Sequence, residues 1–146
     1  MVLCHGVLEM ADDPGAGLRA VAEVLRPGGV VSVLVANRNA AVIARALGGH
    51  FAEARRVLTD EKGRFGDQDP LAARFDEADL TDLLGKAGLR VESVHGVRVF
   101  TDLVPGALVD AEPHGPADLA ALEAAVAELP EFRAVASRLH LVARKG

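Results

Sequence analysis

The chain has 146 residues, 50% of them hydrophobic and 25% charged, with a formal net charge of -5. That size supports one hydrophobic core and is too small for two, so a single domain over residues 1–146 is expected. The acidic balance exerts no general pull on phosphate, and the one cysteine, Cys4, excludes an internal disulfide. No run approaches the roughly eighteen apolar residues of a membrane-spanning helix, the start lacks the order of a secretory signal, and a cytoplasmic protein is the expectation.

Met1 to Cys4 is apolar and reads as the tail of a strand. Asp13 is placed to cap a helix with Pro14 at its first position, and Leu18, Val21, Ala22 and Leu25 repeat at helical spacing, so one face is buried. Gly15-Ala16-Gly17 falls in the first turn of that helix and not after an apolar strand, which is the wrong place for a glycine-rich cofactor turn. Leu25-Arg26-Pro27-Gly28-Gly29 ends the helix. Val30 to Ala36 is apolar at both alternating positions, the pattern of a central parallel strand covered by helices on both faces.

A helical region is predicted from Asn39 to about Leu58, and the stretch Thr59 to Arg74, rich in Asp, Gly, Lys and Arg, as a mobile loop. Asp76 caps a further helix carrying Leu80, Leu83, Leu84 and Ala87, closed by Gly88. Leu89-Arg90-Val91-Glu92 alternates as a strand wetter on one face, and Gly96-Val97-Arg98-Val99-Phe100 repeats that alternation. Pro116 opens a helix with Leu119, Leu122, Val126 and Leu129 on one stripe, Pro130 breaks it, and Glu131 to Arg138 forms a short helix before a last strand, Leu139 to Ala143.

In this order the elements resemble the second half of a class I S-adenosylmethionine-dependent methyltransferase: an α/β, partial doubly wound, Rossmann-like sheet lacking its first three strands and ending in an antiparallel hairpin. The likeness is greatest to the tRNA 5-carboxymethoxyuridine methyltransferases. It is carried by His5-Gly6-Val7-Leu8-Glu9 with Asp13-Pro14, by Leu25 to Gly29, by Gly49-His50-Phe51, by Gly96 to Phe100 with Asp102, and by His140 to Lys145. The chain departs from that pattern at Met10, Thr101, Leu103 and Ser137-Arg138.

The resemblance implies S-adenosylmethionine as cofactor of the complete fold. It places His5, Gly6, Val7, Leu8 and Glu9 beside the methionine part of that cofactor, with a tRNA base or a small carboxylated molecule as acceptor. Packing of Val7 and Leu8 in the core, with His5 capping a turn, is the plain alternative. Arg98 is a candidate for pairing with an anionic substrate group and His140 for orienting a substrate carboxylate or acting as a base, against a solvated strand face and a structural histidine. Arg55, Arg56, Lys62, Arg64 and Arg74 are interleaved with Glu53, Asp60, Glu61, Asp67 and Asp69, which cancels a phosphate-binding strip. The histidines have no metal-ligand spacing, no serine, histidine and acid set assembles from the sequence, and no metal is expected.

Neither a glycine-rich turn after an apolar strand nor a ribose-binding acid is visible in the sequence. The chain alone is therefore expected to be inactive, and its unpaired apolar strands are expected to make it self-associate or be marginally soluble. In the alternative, it is a non-catalytic remnant or subunit whose partner chain completes the sheet.

Overall fold

The computed structural model describes residues Met1–Gly146. Strand β1 (Val2–His5) leads through a short 3-10 turn (Leu8–Met10) to helix α1 (Pro14–Val24) and strand β2 (Val30–Ala36). Helices α2 (Arg38–Leu47), α3 (Phe51–Thr59) and α4 (Glu77–Lys86) follow, then strand β3 (Leu89–Val97). Helices α5 (Gly106–Ala111), α6 (Gly115–Val126) and α7 (Pro130–Arg133) precede the final strand β4 (Arg138–Lys145). The sheet order is β1-β2-β4-β3. β1 and β2 are parallel, and β4 runs antiparallel between β2 and β3.

The expected caps set the helix starts. Asp13 Oδ1 accepts from the Ala16 amide at 2.8 Å and Pro14 occupies the first turn of α1, while Asp76 Oδ1 accepts from the Asp79 amide at 2.8 Å. Gly88 takes φ +77° just past α4, where any side chain would be strained. Leu18 of α1 and Leu80 and Leu84 of α4 pack on Val31, Val33, Val35, Leu139, Leu141 and Ala143 in one buried cluster. Each fully buried aliphatic side chain there contributes about 1.5–3 kcal/mol.

The fold is the expected partial Rossmann-like sheet, with several local corrections. The helical region Asn39 to Leu58 is two helices, because Gly48-Gly49 breaks it and Gly49 sits at φ +79°. β2 is buried wholly on one face only; on the other, Val30, Leu34 and Ala36 are half-buried and Ser32 is buried. β3 is continuous from Leu89 to Val97 with an irregularity between Val91 and Ser93, and Arg98, at φ +62°, lies outside the strand expected to carry it. The helix expected over Glu131 to Arg138 stops at Arg133, and Arg138 opens β4. Helix α5 occupies a stretch to which the sequence assigned no element. Of the α6 stripe, Val126 is buried with Val99 and Ala136, whereas Leu122 and Leu129 are exposed.

The Thr59–Arg74 loop is locked rather than loose. Asp69 and Arg74 form a buried ion pair, in which Arg74 Nη2 lies 3.1 Å from Asp69 Oδ1. The Arg45 guanidinium lies 3.6 Å from the centroid of buried Phe65. Burial alone would raise the Asp69 carboxyl, but Arg74 and the amides of Leu71 and Phe65 outweigh it and hold it below the usual carboxylate range. No helix is long and apolar enough to cross a membrane.

Candidate functional site

The carboxyl ends of β1, β2 and β3 and the start of β4 lie at one edge of the sheet, where open α/β sheets bind their ligands. Each contributes a segment: Gly6–Met10, Asn37 with α2, Arg98–Leu103 and Val135–Arg138.

The first segment divides by burial. Gly6 takes φ +67° and donates its amide to Leu34 O at 2.9 Å, turning the chain sharply off β1. Beyond it Val7 is 54% exposed, while Leu8 and Glu9 are 1% and 3% exposed. Of the expected cofactor contacts, His5, Gly6 and Val7 thus face solvent, and the Leu8 and Glu9 side chains are turned inward. Leu8 joins the main core. The Glu9 carbonyl accepts from the Ala72 and Ala73 amides at 2.8 and 3.1 Å, so this turn is tied to the locked loop. Glu9 Oε1 lies 3.5 Å from Arg138 Nη1, and Glu9 Oε2 is buried without a hydrogen-bond partner. Burial and this carboxylate push the Cys4 thiol up, which makes Cys4 a core residue and not a nucleophile.

Asn37, buried at the end of β2, organises the second wall. Its Nδ2 donates to the carbonyls of Ala136 at 2.8 Å and Ala134 at 3.0 Å, and its Oδ1 accepts from the Asn39 amide. Asn39 Nδ2 donates to the same Ala134 carbonyl at 2.8 Å. The segment before β4 is thereby fixed against α2. Between them lies a cavity of about 170 Å³ lined mainly by apolar residues, Ile43, Leu47, Val99, Leu103 and Val135 among them, with Asp102 and Ser137 as polar members.

Arg98, expected on a strand, instead stands in the turn after β3, ion-paired with Asp102 at the cavity rim. Glu123 of α6 holds that turn by accepting from the amides of Val99, Phe100 and Thr101 at 2.7–2.9 Å. Burial would raise the Glu123 carboxyl; those amides outweigh it and keep it below the ordinary range.

A larger cavity of about 420 Å³ lies between the starts of α1, α2 and α4. Its cations, Arg38, Lys62 and Arg74, stand among Asp12, Glu61, Asp79 and Asp82, so it has no strong preference for either charge. The smaller cavity, walled by the segments after β2 and β3, is the better acceptor candidate.

The sheet also assembles a cluster that the sequence spacing concealed. His5, Leu34, His140 and His95 are register partners across the four strands. Ser32 Oγ lies 2.8 Å from His5 Nε2 and 2.7 Å from His140 Nε2. The His140 ring stacks on His95 with centroids 5.7 Å apart, and His95 Nε2 lies 3.1 Å from Glu128 Oε1. Serine and histidine thus meet although no spacing announces it, but the acid, Glu128, bonds His95 and not the histidines that Ser32 joins, so no serine, histidine and acid relay forms. Burial, then His95, then His5, holds the His140 imidazole below its ordinary range. Residues 32 and 140 are 108 apart, and only strand pairing joins them.

No family model matches the chain. It is 32% identical over 102 residues, 70% of its length, to the tRNA 5-carboxymethoxyuridine methyltransferase of Escherichia coli (strain K12). To the same enzyme of Escherichia coli O157:H7 it is 31% identical over 102 residues. The chain spans 38% of the length of these curated relatives.

Among solved structures, it is similar to a chain in the complex between the Haloferax volcanii Trm112 methyltransferase activator and a methyltransferase, with TM-score 0.54 and 17% identity over 98% of this chain and 52% of that one. It matches an S-adenosylmethionine-dependent methyltransferase from Mesorhizobium loti with TM-score 0.52 and 16% identity, over 98% of this chain and 60% of that one. The [4+2]-cyclase SpnF is equally similar, with TM-score 0.52 and 21% identity over 98% of this chain and 48% of that one. One fold therefore carries more than one chemistry, and the sequence relationship narrows it. By sequence the chain is a relative of the methyltransferases, and it carries part of the Rossmann-like fold on which the S-adenosylmethionine-dependent ones are built.

Proposed function

We propose that this chain forms the acceptor-side part of an S-adenosylmethionine-dependent methyltransferase that acts on a tRNA base or a small carboxylated molecule. The observation that carries the reading is the 102-residue relationship to a tRNA-modifying methyltransferase in a chain whose strand ends gather one apolar cavity. When bound, the cofactor supplies an electrophilic methyl group on a sulfonium. The protein's task is then to align the acceptor and keep water out.

His5, Gly6 and Val7 are the residues that would border the cofactor, since they are accessible at the carboxyl end of β1. The sharp turn at Gly6 leaves open space where a side chain would stand, which suits close approach of a ligand to the backbone. Leu8 and Glu9 support that turn from inside. Ile43, Leu47, Val99 and Leu103 would exclude water from the acceptor, with Arg98 and Asp102 at the rim.

The test is an amide-resonance titration of the 146-residue chain with S-adenosylmethionine. Weak binding, with shifts centred on His5, Gly6, Val7 and Met10, is the expected result. Micromolar affinity would contradict the expectation that one wall binds poorly alone, and shifts centred elsewhere would overturn the placement.

A second reading is favoured by one observation: β1 is hydrogen-bonded on one side only, with Leu3 62% exposed. Here the chain is a subunit completed by another chain or by a second copy of itself. One structural neighbour comes from a complex with a methyltransferase activator, which is compatible with such pairing. Sedimentation as a clean monomer with a cooperative melt would count against self-association.

A further inference from the structure

Arg98 is the one non-glycine residue of the chain with a positive φ, +62°, a conformation that crowds its Cβ against the backbone. Such a residue persists only where its surroundings over-determine it. The Arg98 carbonyl accepts from the Ser137 amide at 3.1 Å, which ties it to the segment before β4. Beyond it the chain closes one tight turn, in which the Phe100 carbonyl accepts from the amides of Leu103 at 2.8 Å and Val104 at 3.0 Å. The amides of Val99, Phe100 and Thr101 are left over by that turn and need an acceptor from elsewhere.

Glu123 supplies it from 22 to 24 residues away. Its Oε2 accepts from the Val99 amide, and its Oε1 accepts from the amides of Phe100 and Thr101 and from the Thr101 hydroxyl. A charged acceptor makes these bonds stronger than a neutral one would. They hold the carboxyl below its ordinary range, so it is ionised at neutral pH. Val126, three residues further and so on the same face of α6, packs on Val99 beside Ala136 in a small buried cluster. Helix α6 therefore grips the turn by a polar and an apolar contact together.

That turn is one wall of the apolar cavity. Val99, Asp102 and Leu103 line it, with Ile43 and Leu47 of α2 among the other lining residues. We propose that Glu123 is a positioning residue of the acceptor cavity: by binding the amides of residues 99–101 it keeps Arg98 in its left-handed conformation and sets where Val99, Asp102 and Leu103 stand against α2. The proposal rests on the methyl-transfer reading for what the cavity receives, and not for how its wall is held. Glu123 itself is absent from the lining and acts only through the turn. Glycine takes a positive φ without strain, so Arg98→Gly should make the clamp dispensable. A contact that merely added stability would stay as necessary as before.

Xenon tests this in the 146-residue chain, since apolar cavities of about 150 Å³ bind it. In the wild-type chain it should shift the methyl resonances of Ile43, Val99, Leu103 and Val135. E123Q turns one acceptor oxygen into a donor, so the shifts at Val99 and Leu103 should be lost and amide exchange at Val99, Phe100 and Thr101 should quicken. The double variant R98G/E123Q should regain the xenon shifts. No xenon shift in the wild-type chain overturns the proposal, as do wild-type shifts in a folded E123Q or a double variant that behaves like E123Q. If E123Q does not fold, the double variant decides: recovery of the fold and the xenon site upholds the proposal, and failure of both makes Glu123 a folding residue and ends it. These spectra need neither cofactor nor acceptor, so failure to bind S-adenosylmethionine would remove the methyl-transfer reading and leave this result standing.

Discussion

The two faces of the sheet are built on opposite principles. Beneath α1 and α4, Val31, Val33, Val35, Leu139, Leu141 and Ala143 are sealed from water, and shape and volume hold them together. On the other face, the alternate positions of the same strands present His5, Ser32, His140 and His95, held by hydrogen bonds and ring stacking. Stability is concentrated on the first face and titratable chemistry on the second. The period of two along a strand makes that division possible within seven consecutive residues of β2.

The largest expected effect breaks the sealed face. Leu141→Ala should cost about 2–5 kcal/mol in urea unfolding, since nothing nearby can fill the cavity without moving the sheet. If it costs as little as an exposed substitution, the division between the faces is wrong. Next comes Asn37→Ala at the junction of the faces, expected to cost about 1–3 kcal/mol because it removes the donor to the buried Ala136 carbonyl and leaves Asn39 alone to bond Ala134. The same variant should loosen the segment before β4, read as faster amide exchange at Ala136 and Ser137, with α1 unaffected.

The sealed face was legible in the sequence and the titrating face was not. Asp13, Pro14, Asp76 and Gly88 announce their helices through local hydrogen-bonding and backbone requirements, and Leu80 and Leu84 show their burial by spacing alone. His5, Ser32, His95 and His140 carry no mutual spacing, because their proximity is created by the strand order β1-β2-β4-β3. Arg98 was misplaced because Val97-Arg98-Val99 alternates like a strand, whereas Glu123, remote in sequence, captures the following amides into a turn. The loop from Thr59 to Arg74 looked mobile because its charges are numerous; burial of the Asp69–Arg74 pair depends on partners that composition does not name. Resemblance to a family placed His5 to Glu9 at the ligand edge, but only the fold separates exposed Val7 from buried Leu8 and Glu9.

Lowering pH should act first on His140 in the strand face and then on two carboxylates outside the sheet, Asp69 in the loop and Glu123 on α6. The folded-state pKa of His140 lies below its unfolded value near 6.5, so its contribution is complete above that pH and is lost as pH falls through the folded value. Asp69 and Glu123 are also lowered, so their contributions are complete above the ordinary carboxylate values near 4 and are lost below them. The melting temperature should therefore fall in two stages on acidification. His140→Gln should flatten the upper stage and leave the lower one. A wild-type profile level from neutrality down to the carboxylate range would show that His140 contributes no pH-dependent stability.

The smallest effect is the most discriminating about what lies over the titrating face. Leu3 is 62% exposed in this chain, so Leu3→Ser should change the stability of an isolated monomer by no more than about 0.5 kcal/mol. If β1 pairs with another chain or with a second copy, Leu3 becomes interior to the completed sheet. The same substitution should then weaken association in sedimentation while barely moving the melt of the dissociated chain. An equal, small change in both measurements would mean that the edge is left bare.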